Sequence, residues 1–379
     1  MPELTHPVRR AGSRELLLTL IALFVLLGAS DNPARPPAAH ARLAPDNDGA
    51  LAELVLHFDP RAEAAAAPTY RDLLRALAPS VKVLVVVERA ADFERFRALL
   101  ATWRIAAPDR VHPVVVGKPI TTWSRDRFTL LERGGRRVLL VRDRPAEGPA
   151  ARQNDWLAPF ALARAAGSEV EVERTPLLFD GGDLLATGQH VLATAVLLGR
   201  NRGGTLGDPH LLRRWLRATS GLEPILIGEE PEDVPPHHIC MVLTALGGRT
   251  ILVGDPAAGL ALLPADAKLP LAVDRSEETT RRFERVAEVL TARGLRVVRV
   301  PLVPLSDGLT YLSYNNSIVE RRPDGRLHAY VPQFGVPVLD AAGRAAYQRE
   351  GVVVHPIDAR EIYVWNGSVR CLVNVLQRE

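Results

Sequence analysis

The chain contains only two cysteines, and each stands in a segment whose residue types could support catalysis. Cys240 follows His238 by two positions in the segment PPHHICMVL, and Cys371 ends the segment WNGSVRC. A thiolate is the strong nucleophile among side chains, and a nearby histidine can activate it and move protons. Cys371 and His238 are therefore candidates for a nucleophile and a general acid and base.

Two acidic segments supply groups that could hold a substrate. Asp126 ends WSRD, and Asp180 and Asp183 flank the two glycines of DGGD. Ionised carboxylates only accept hydrogen bonds, so several of them together favour a cation with many planar donors, such as a guanidinium. Combined with the thiol and the imidazole, these residues predict attack by Cys371 on a guanidinium carbon.

A repeated order of elements predicts how the chain brings these segments together. Each repeat has a hairpin, a helix and a further strand. The β-rich runs around turn residues predict four hairpins: RFTLLE with VLLVR, DLLAT with VLATAVLL, MVLTAL with TILVGD, and SIVE with LHAYV. Helical runs such as PHLLRRWLRATS follow, and each leads to another apolar strand.

The final run, VRCLVNVL, has no following partner, so we expect it to pair with ELVLHF near the start of the domain. This pairing closes a ring without exposed edges, and repeats of this period favour a propeller-like α/β architecture. The joints between repeats then converge on one centre. Asp180 lies 54 residues after Asp126, and His238 lies 58 residues after Asp180, so we expect them to meet Cys371 there.

The first 41 residues form a separate segment. Arg9, Arg10 and Arg14 precede the apolar run LLLTLIALFVLLGA, and a Pro/Ala-rich stretch follows, which is the order of a secretory signal. The alternative is an uncleaved amino-terminal anchor. We expect an exported protein, periplasmic or secreted, with residues 1–41 as signal or anchor and linker and residues 45–379 as a single catalytic domain.

Composition bounds the partners. The formal net charge is +3, and almost all positive charge is arginine, because Lys82, Lys118 and Lys268 are the only lysines. No basic run interleaved with aromatic residues supports nucleic-acid binding. We predict a small-molecule or peptidyl guanidine as substrate, no nucleic acid, and membrane contact only through the amino-terminal segment.

Four segments, in order, resemble the guanidino-group-modifying (pentein) superfamily: WSRD, FDGGDLLATGQHVLATAVLLGRN, HHIC and WNGSVRC. This family includes arginine, agmatine and peptidylarginine deiminases, dimethylarginine hydrolases and amidinotransferases. The resemblance covers about residues 45–379. It implies a five-bladed α/β propeller of repeated ββαβ units with pseudo-fivefold symmetry.

The resemblance also implies roles. Cys371 would form a covalent thiouronium intermediate, and His238 would protonate the leaving amine and then activate water. Asp126 and Asp180 would hold the guanidinium nitrogens, with Asp180 in place of the family's usual Glu, and Asp183 would mainly orient the turn. The implied activity is hydrolysis of a linear amidine to a ureido product and ammonia or an amine, with no metal or organic cofactor.

Cys240, Trp123 and Arg125 complete the predicted substrate-binding set. Cys240 stands where many family members carry the Asp of His-x-Asp; it can be a neutral filler, a disulfide partner of Cys371 or a zinc ligand. The alternative for WSRD is a structural salt bridge with a Trp core anchor. His237 is interpreted as exposed or structural, and Tyr314, Asn315 and Asn316 occupy the fourth joint without an evident role.

The missing Asp keeps two rival functions open. One is a non-catalytic or redox-locked guanidine-binding protein, in which a Cys240–Cys371 disulfide blocks the nucleophile. The other is an amidinotransferase, in which an amine rather than water accepts the amidino group.

Overall fold

The structure is a computed structural model that describes residues 41–379. The predicted signal or anchor lies, except for its final residue, outside the described residues. Within the described part, no helix is both long and apolar enough to cross a membrane.

Most of the described chain alternates between short strands and the helices that connect them. The strands are β1 (Arg42–Leu43), β2 (Leu51–Phe58), β3 (Lys82–Val87), β4 (Val111–Val115), β5 (Thr129–Arg133), β6 (Arg136–Arg142), β7 (Val170–Thr175), β8 (Leu185–Ala186), β9 (His190–Thr194), β10 (Glu223–Ile227), β11 (Leu243–Gly247), β12 (Thr250–Asp255), β13 (Arg296–Pro304), β14 (Tyr311–Ser313), β15 (Ile318–Arg321), β16 (Leu327–Gln333), β17 (Val353–Asp358) and β18 (Val373–Arg378). The α-helices are α1 (Glu63–Ala76), α2 (Ala90–Thr102), α3 (Ala150–Asn154), α4 (Ala158–Ala166), α5 (Ala195–Arg200), α6 (Pro209–Ser220), α7 (Ile239–Val242), α8 (Pro256–Leu262), α9 (Glu277–Ala292) and α10 (Pro337–Arg349).

The strands form five sheets, in the orders β1-β5-β6-β7, β10-β9-β8, β11-β12-β13-β14, β15-β16-β17 and β18-β2-β3-β4. Each sheet combines an antiparallel pair with a parallel strand that is reached through one or two helices, as parallel pairing requires a crossover. The four predicted hairpins are confirmed. The mixed α/β class is therefore confirmed, and five sheets fit a propeller-like arrangement.

The predicted closure of the chain is confirmed. Strand β18 pairs antiparallel with β2, and Val373 lies opposite Leu56 in the register. This pairing places Cys371, which lies two residues before β18, beside the first sheet. Pairing begins earlier than the predicted domain start at residue 45, because Arg42 and Leu43 of β1 lie opposite Glu132 and Leu131.

Helix α6 illustrates how the sequence sets the elements between strands. The Asp208 side chain accepts hydrogen bonds from two N–H groups of the first turn, and Gly221, with a φ of 65°, ends the helix in the left-handed conformation. Trp215 and Leu216 lie on its buried face. These apolar contacts hold the helix against the strands of its own sheet.

Two predicted strands are shorter than their hydrophobic runs suggested. Residues 195–198 of the VLATAVLL run begin α5, because β9 stops pairing at Thr194 and the chain must then enter its crossover. Met241 and Val242 belong to α7 rather than to the following strand. Helix α8 was not predicted.

Candidate active site

The joints between sheets surround a cavity of about 270 Å³. The cavity combines ionisable groups with apolar side chains at its mouth, where Leu309 and Trp365 are 40% and 46% exposed. It is lined by Trp123, Asp126, Arg152, Asp180, Arg200, Pro236, His237, His238, Leu309, Trp365, Asn366 and Cys371.

The structure brings most of the predicted site residues to this cavity and places the rest behind it. Among the described residues, the cavity lining includes Trp123, Asp126, Asp180, His238 and Cys371, whereas Arg125, Asp183 and Cys240 are buried without lining it.

Short 3₁₀ turns at the joints orient the two carboxylates that line the cavity. Asp126 lies in the turn Ser124–Arg127, and Asp180 precedes the turn Gly181–Asp183. Asp183 accepts a hydrogen bond from the Asp180 backbone N–H at 2.7 Å, so it fixes the turn from which Asp180 projects. The Arg125 backbone N–H donates to the Cys371 carbonyl oxygen at 3.1 Å, which ties the first joint to the segment that carries Cys371.

The glycines of the motifs allow backbone and side chains to approach closely. A Cβ added to Gly182 would lie 2.8 Å from His238 Nδ1, and one added to Gly367 would lie 2.5 Å from the Trp123 ring and 3.2 Å from Cys371 Cβ. Such contacts are too close for any side chain. The glycines of DGGD and WNGS are therefore required by packing around the imidazole and the thiol.

His238 lies between the carboxylates. Its Nε2 is 3.3 Å from Asp180 Oδ2 and 3.9 Å from Asp183 Oδ1, and its Nδ1 is 3.5 Å from Asp126 Oδ1. Burial alone would lower the pKa of His238, but the negative charges of Asp126 and Asp183 and the hydrogen bond to Asp180 raise it well above its usual value. The imidazolium form is therefore favoured at neutral pH.

Cys371 is held by the side chain of Asn316. Asn316 Nδ2 donates to Cys371 Sγ at 3.2 Å, and Asn316 Oδ1 accepts from the backbone N–H groups of Arg370 and Cys371 at 2.9 and 3.3 Å. A hydrogen bond from Cys240 and a second one from His238 lower the pKa of Cys371, against the opposing effect of burial. The Cys371 thiolate is therefore stabilised.

Cys240 lies next to Cys371 on the side away from the cavity. Asn316 Nδ2 is 3.7 Å from Cys240 Sγ and donates to the Cys240 carbonyl oxygen at 3.3 Å, so the same amide contacts both sulfur atoms. Both thiols are free and buried. The pKa of Cys240 is raised, first by its hydrogen bond to Cys371 and then by burial, so Cys240 stays a neutral thiol beside the thiolate.

Three arginines that sequence reasoning missed form hydrogen bonds or ion pairs with the carboxylates. Arg152 donates to Asp126 Oδ2 at 2.7 Å and to Asp180 Oδ2 at 2.9 Å. Arg142 reaches Asp180 Oδ1 at 2.5 Å, and Arg200 lies 2.8 Å from both Asp180 Oδ2 and Asp183 Oδ2. Burial would raise the pKa of Asp180, but its hydrogen bond with His238 and the charges of Arg152 and Arg200 hold that pKa well below its usual range.

Two buried atoms of the site have no hydrogen-bond partner among the described residues. These atoms are Asp126 Oδ1 and His238 Nδ1, which face each other at 3.5 Å. A buried carboxylate oxygen without a donor is costly, so this acceptor is suited to an N–H group of a ligand.

The predicted role of Arg125 in substrate binding is not supported by its position. Its guanidinium donates to the Leu184 carbonyl oxygen at 2.9 Å and to Asn374 Oδ1 at 3.3 Å, and it lies 3.4 Å from Asp46 Oδ1. These contacts join three segments of the chain behind the cavity. Within WSRD, Arg125 is therefore structural, while Trp123 and Asp126 face the cavity.

His237 is half-buried and lines the cavity, whereas sequence reasoning left it exposed or structural. Its Nδ1 accepts the backbone N–H of His238 at 2.7 Å, and its Nε2 lies 2.8 Å from the Asn366 carbonyl oxygen. Burial lowers the pKa of His237 to about 4. His237 is thus neutral at physiological pH and orients its neighbour.

A metal ion fits this site less well than an organic cation. Asp126, Asp180 and His238 offer ligand atoms within 4.8 Å of one another. However, the three arginines already donate to the carboxylates, and the raised pKa of His238 opposes the neutral imidazole that metal binding requires. The planar donor set of a guanidinium matches what these carboxylates already bind.

The sequence matches no protein-family model and no curated protein. Solved structures do match the fold. The agmatine deiminase of C. jejuni superposes with a TM-score of 0.65 at 16% identity, and the match covers 89% of this chain and 96% of that chain. The agmatine deiminase of Enterococcus faecalis gives a TM-score of 0.62 at 14% identity, covering 89% of this chain and 96% of that one.

The predicted resemblance to the guanidino-group-modifying superfamily is therefore confirmed at the level of the fold. At this identity the likeness describes the path of the chain, and the chemistry has to be argued from the side chains themselves.

Proposed function

We propose that the protein is a hydrolase that breaks a C–N bond of a guanidine and uses Cys371 as its nucleophile. The observation that carries this proposal is one cavity lined by the thiol of Cys371, the imidazole of His238 and the carboxylates of Asp126 and Asp180. We propose that the five sheets are blades of a pseudo-fivefold α/β propeller, since equivalent joints of such a fold point to its centre.

The substrate guanidinium would bind between the two carboxylates. Asp126 Oδ1 accepts no hydrogen bond among the described residues and lies 3.5 Å from His238 Nδ1, so it can accept an N–H group from the substrate. Asp180 supplies a second, strongly acidic carboxylate. Leu309 and Trp365 form an apolar mouth that suits the alkyl arm of a substituted guanidine.

In the first step the Cys371 thiolate attacks the guanidinium carbon, and a C–S bond forms. The His238 imidazolium gives its proton to the departing nitrogen, and the C–N bond breaks to release ammonia or an amine. The product on the enzyme is a thiouronium. The charge states required by this step match the raised pKa of His238 and the lowered pKa of Cys371.

In the second step His238, now neutral, accepts a proton from water, and the resulting hydroxide adds to the thiouronium carbon. The C–S bond then breaks, the thiolate of Cys371 is restored, and the added hydroxyl gives its proton to the solvent as the neutral ureido product leaves. Asn316 stabilises the thiolate both before attack and after release, because its amide N–H points at Cys371 Sγ.

A redox-locked guanidine-binding protein is the second candidate. It is favoured by the proximity of the two sulfur atoms, which share the Asn316 amide at 3.2 and 3.7 Å. A peroxide would oxidise the Cys371 thiolate to a sulfenic acid, and attack by Cys240 would then form a disulfide and release water. We also propose export to the periplasm or medium, which rests on the amino-terminal sequence pattern. In an oxidising compartment a reactive thiol would need either protection or this disulfide.

The test is a colorimetric ureido assay over a panel of guanidines, run with reductant. We expect ureido product from at least one alkylguanidine, and its loss in the absence of reductant would support the lock. Adding an amine acceptor distinguishes amidino transfer, because a transferase would form a new guanidine instead of urea. Reduced protein with a free Cys371 that turns over no guanidine would contradict the proposal.

A further inference from the structure

Arg152 occupies the cavity as a substrate guanidinium would. Its Nη1 donates to Asp126 Oδ2 at 2.7 Å, and its Nη2 donates to Asp180 Oδ2 at 2.9 Å. The two terminal nitrogens of one planar group thus span the two carboxylates that we assign to the substrate. Paired N–H donors on a rigid fork are the means by which guanidinium groups are recognised.

The charge on this side of the cavity is already balanced. The three carboxylates of WSRD and DGGD lie within ion-pair distance of four arginines, which are Arg142, Arg152, Arg200 and Arg127, the last at 3.7 Å from Asp126 and also paired with Asp155. The imidazole of His238 lies within the same cluster. A second guanidinium placed beside Arg152 would add a further cation where little water can screen it. The substrate and Arg152 therefore compete for the same two carboxylates, Asp126 and Asp180.

Arg152 lies on a mostly exposed segment that is anchored after it by Asn154 and the buried Asp155, so its side chain can move without opening the core. Residues 143–151, between β6 and α3, are exposed or half-buried, and α3 itself has no buried residue. The Arg152 side chain is 22% exposed. By contrast, Asp126 and Asp180 are held at buried joints. The carboxylates are thus the fixed half of the contact and Arg152 is the movable half.

We propose that Arg152 is an internal competitor that holds the guanidinium position until a substrate displaces it. This inference rests on the proposed function, because it takes Asp126 and Asp180 as the substrate's carboxylates. The apparent affinity for every guanidine is then reduced by the fraction of molecules in which the position is free. Guanidines with an apolar arm displace Arg152 most easily, because they gain further binding free energy from contacts with Leu309 and Trp365.

The test is binding calorimetry in a Cys371→Ala background, which separates binding from turnover. Methylguanidine and butylguanidine serve as probes without and with an apolar arm. Adding Arg152→Ala should tighten both by the same factor, about tenfold, because only the population of the free position changes. Arg152→Lys keeps the charge but loses the fork, so it should give a smaller gain.

Arg144→Ala is the matched control, because Arg144 lies on the same segment but is exposed and outside the cavity lining. It should leave both affinities within about twofold. Unchanged or weaker binding of both probes in both Arg152 variants would overturn the inference. That result would leave the role of Cys371 untouched, whereas turnover by a Cys371→Ala protein would overturn the proposed reaction.

Discussion

The two sides of the cavity are built from different kinds of groups. The sulfur side consists of Cys371, Cys240, Met241 and Asn316, which contact each other through an amide, two thiols and a thioether. The carboxylate side consists of Asp126, Asp180 and Asp183 with their partners Arg142, Arg152 and Arg200. Both sides meet at His238.

The difference shows how the charges on each side are stabilised when no substrate is bound. The sulfur side stabilises the Cys371 thiolate with hydrogen bonds from neutral groups, and the His238 imidazolium adds to this stabilisation. The carboxylate side carries full charges in a buried place, where an unpaired carboxylate is costly, so arginines of the chain itself supply the missing cations. On the proposed function, a substrate would meet a thiolate that is already stabilised and a binding position that Arg152 already occupies.

Removal of the proposed nucleophile from the sulfur side should have the largest effect on activity. We expect Cys371→Ala to lower ureido formation by about 10³-fold or more, because the other thiol of that side, Cys240, stays neutral and does not line the cavity. Cys240→Ser is the control, since a hydroxyl can replace the thiol as donor to Cys371. Comparable losses in the two variants would show that the sulfurs act only in packing.

Removal of one carboxylate from the carboxylate side should lower the stability of the protein. Asp180→Asn leaves Arg142, Arg152 and Arg200 with weaker partners, and we expect a loss of about 3 kcal/mol in the free energy of unfolding. The measurement is denaturant unfolding at neutral pH. Asp143→Asn, an exposed position on the segment before α3, should change stability little. Equal stability of both variants would mean that the arginine cluster is not coupled to the fold.

Displacement of His238 should affect both sides together. The Cβ of Gly182→Ala would meet the imidazole at 2.8 Å, so the ring must shift. A misplacement of about 1 Å in a catalytic group can cost about 10²-fold in rate, and we expect a loss in kcat of that order. In Gly188→Ala the new Cβ meets no atom within 4 Å, so it is the matched control. The measurement is the kcat of both variants, and an equal kcat would contradict the expected displacement of His238.

The electrostatic link between the sides should give the smallest effect. Replacing the His238 imidazolium with a neutral amide in His238→Asn removes a positive charge beside the thiolate, so the pKa of Cys371 should rise. The midpoint of iodoacetamide alkylation against pH then moves upward. His237→Asn should leave it in place, because the pKa of His237 is about 4 and no charge is lost. An unchanged or lower midpoint for His238→Asn would refute the ion pair.

Local sequence was sufficient to predict the residues at the joints. Asp126, Asp180, His238 and Cys371 each stand in a short motif between a strand and the next hairpin, and closure of the chain through β18 and β2 brings them together. Turn chemistry and alternating hydrophobic runs predicted the hairpins for the same reason, since both depend on neighbouring residues.

The arginines could not be predicted in this way. Arg142 ends β6, Arg152 lies in α3 and Arg200 lies at the end of α5, so all three come from segments between the joints. Nothing in their local pattern states that long side chains will reach back to the cavity. Because the chain is rich in arginine, the presence of an arginine in a segment does not mark it as part of the site. Only the three-dimensional path of the chain shows which arginines contact the carboxylates.

Arg125 lies away from the cavity lining for a different reason. It stands in the most suggestive motif, but in a 3₁₀ turn consecutive side chains point in different directions. Asp126 therefore faces the cavity while Arg125 faces Asn374 and Leu184. Asn316 was noticed at the fourth joint without a role, because its contact with both sulfurs depends on segments far apart in sequence.

The central claim is a covalent bond between Cys371 and the guanidine carbon. The most direct measurement is intact-mass and peptide analysis of reduced protein that is acid-quenched during turnover of an alkylguanidine. We predict an amidino adduct on the peptide containing Cys371, absent from Cys371→Ala and absent from the Cys240 peptide. Steady ureido formation without any adduct, or the same product from Cys371→Ala, would contradict the account.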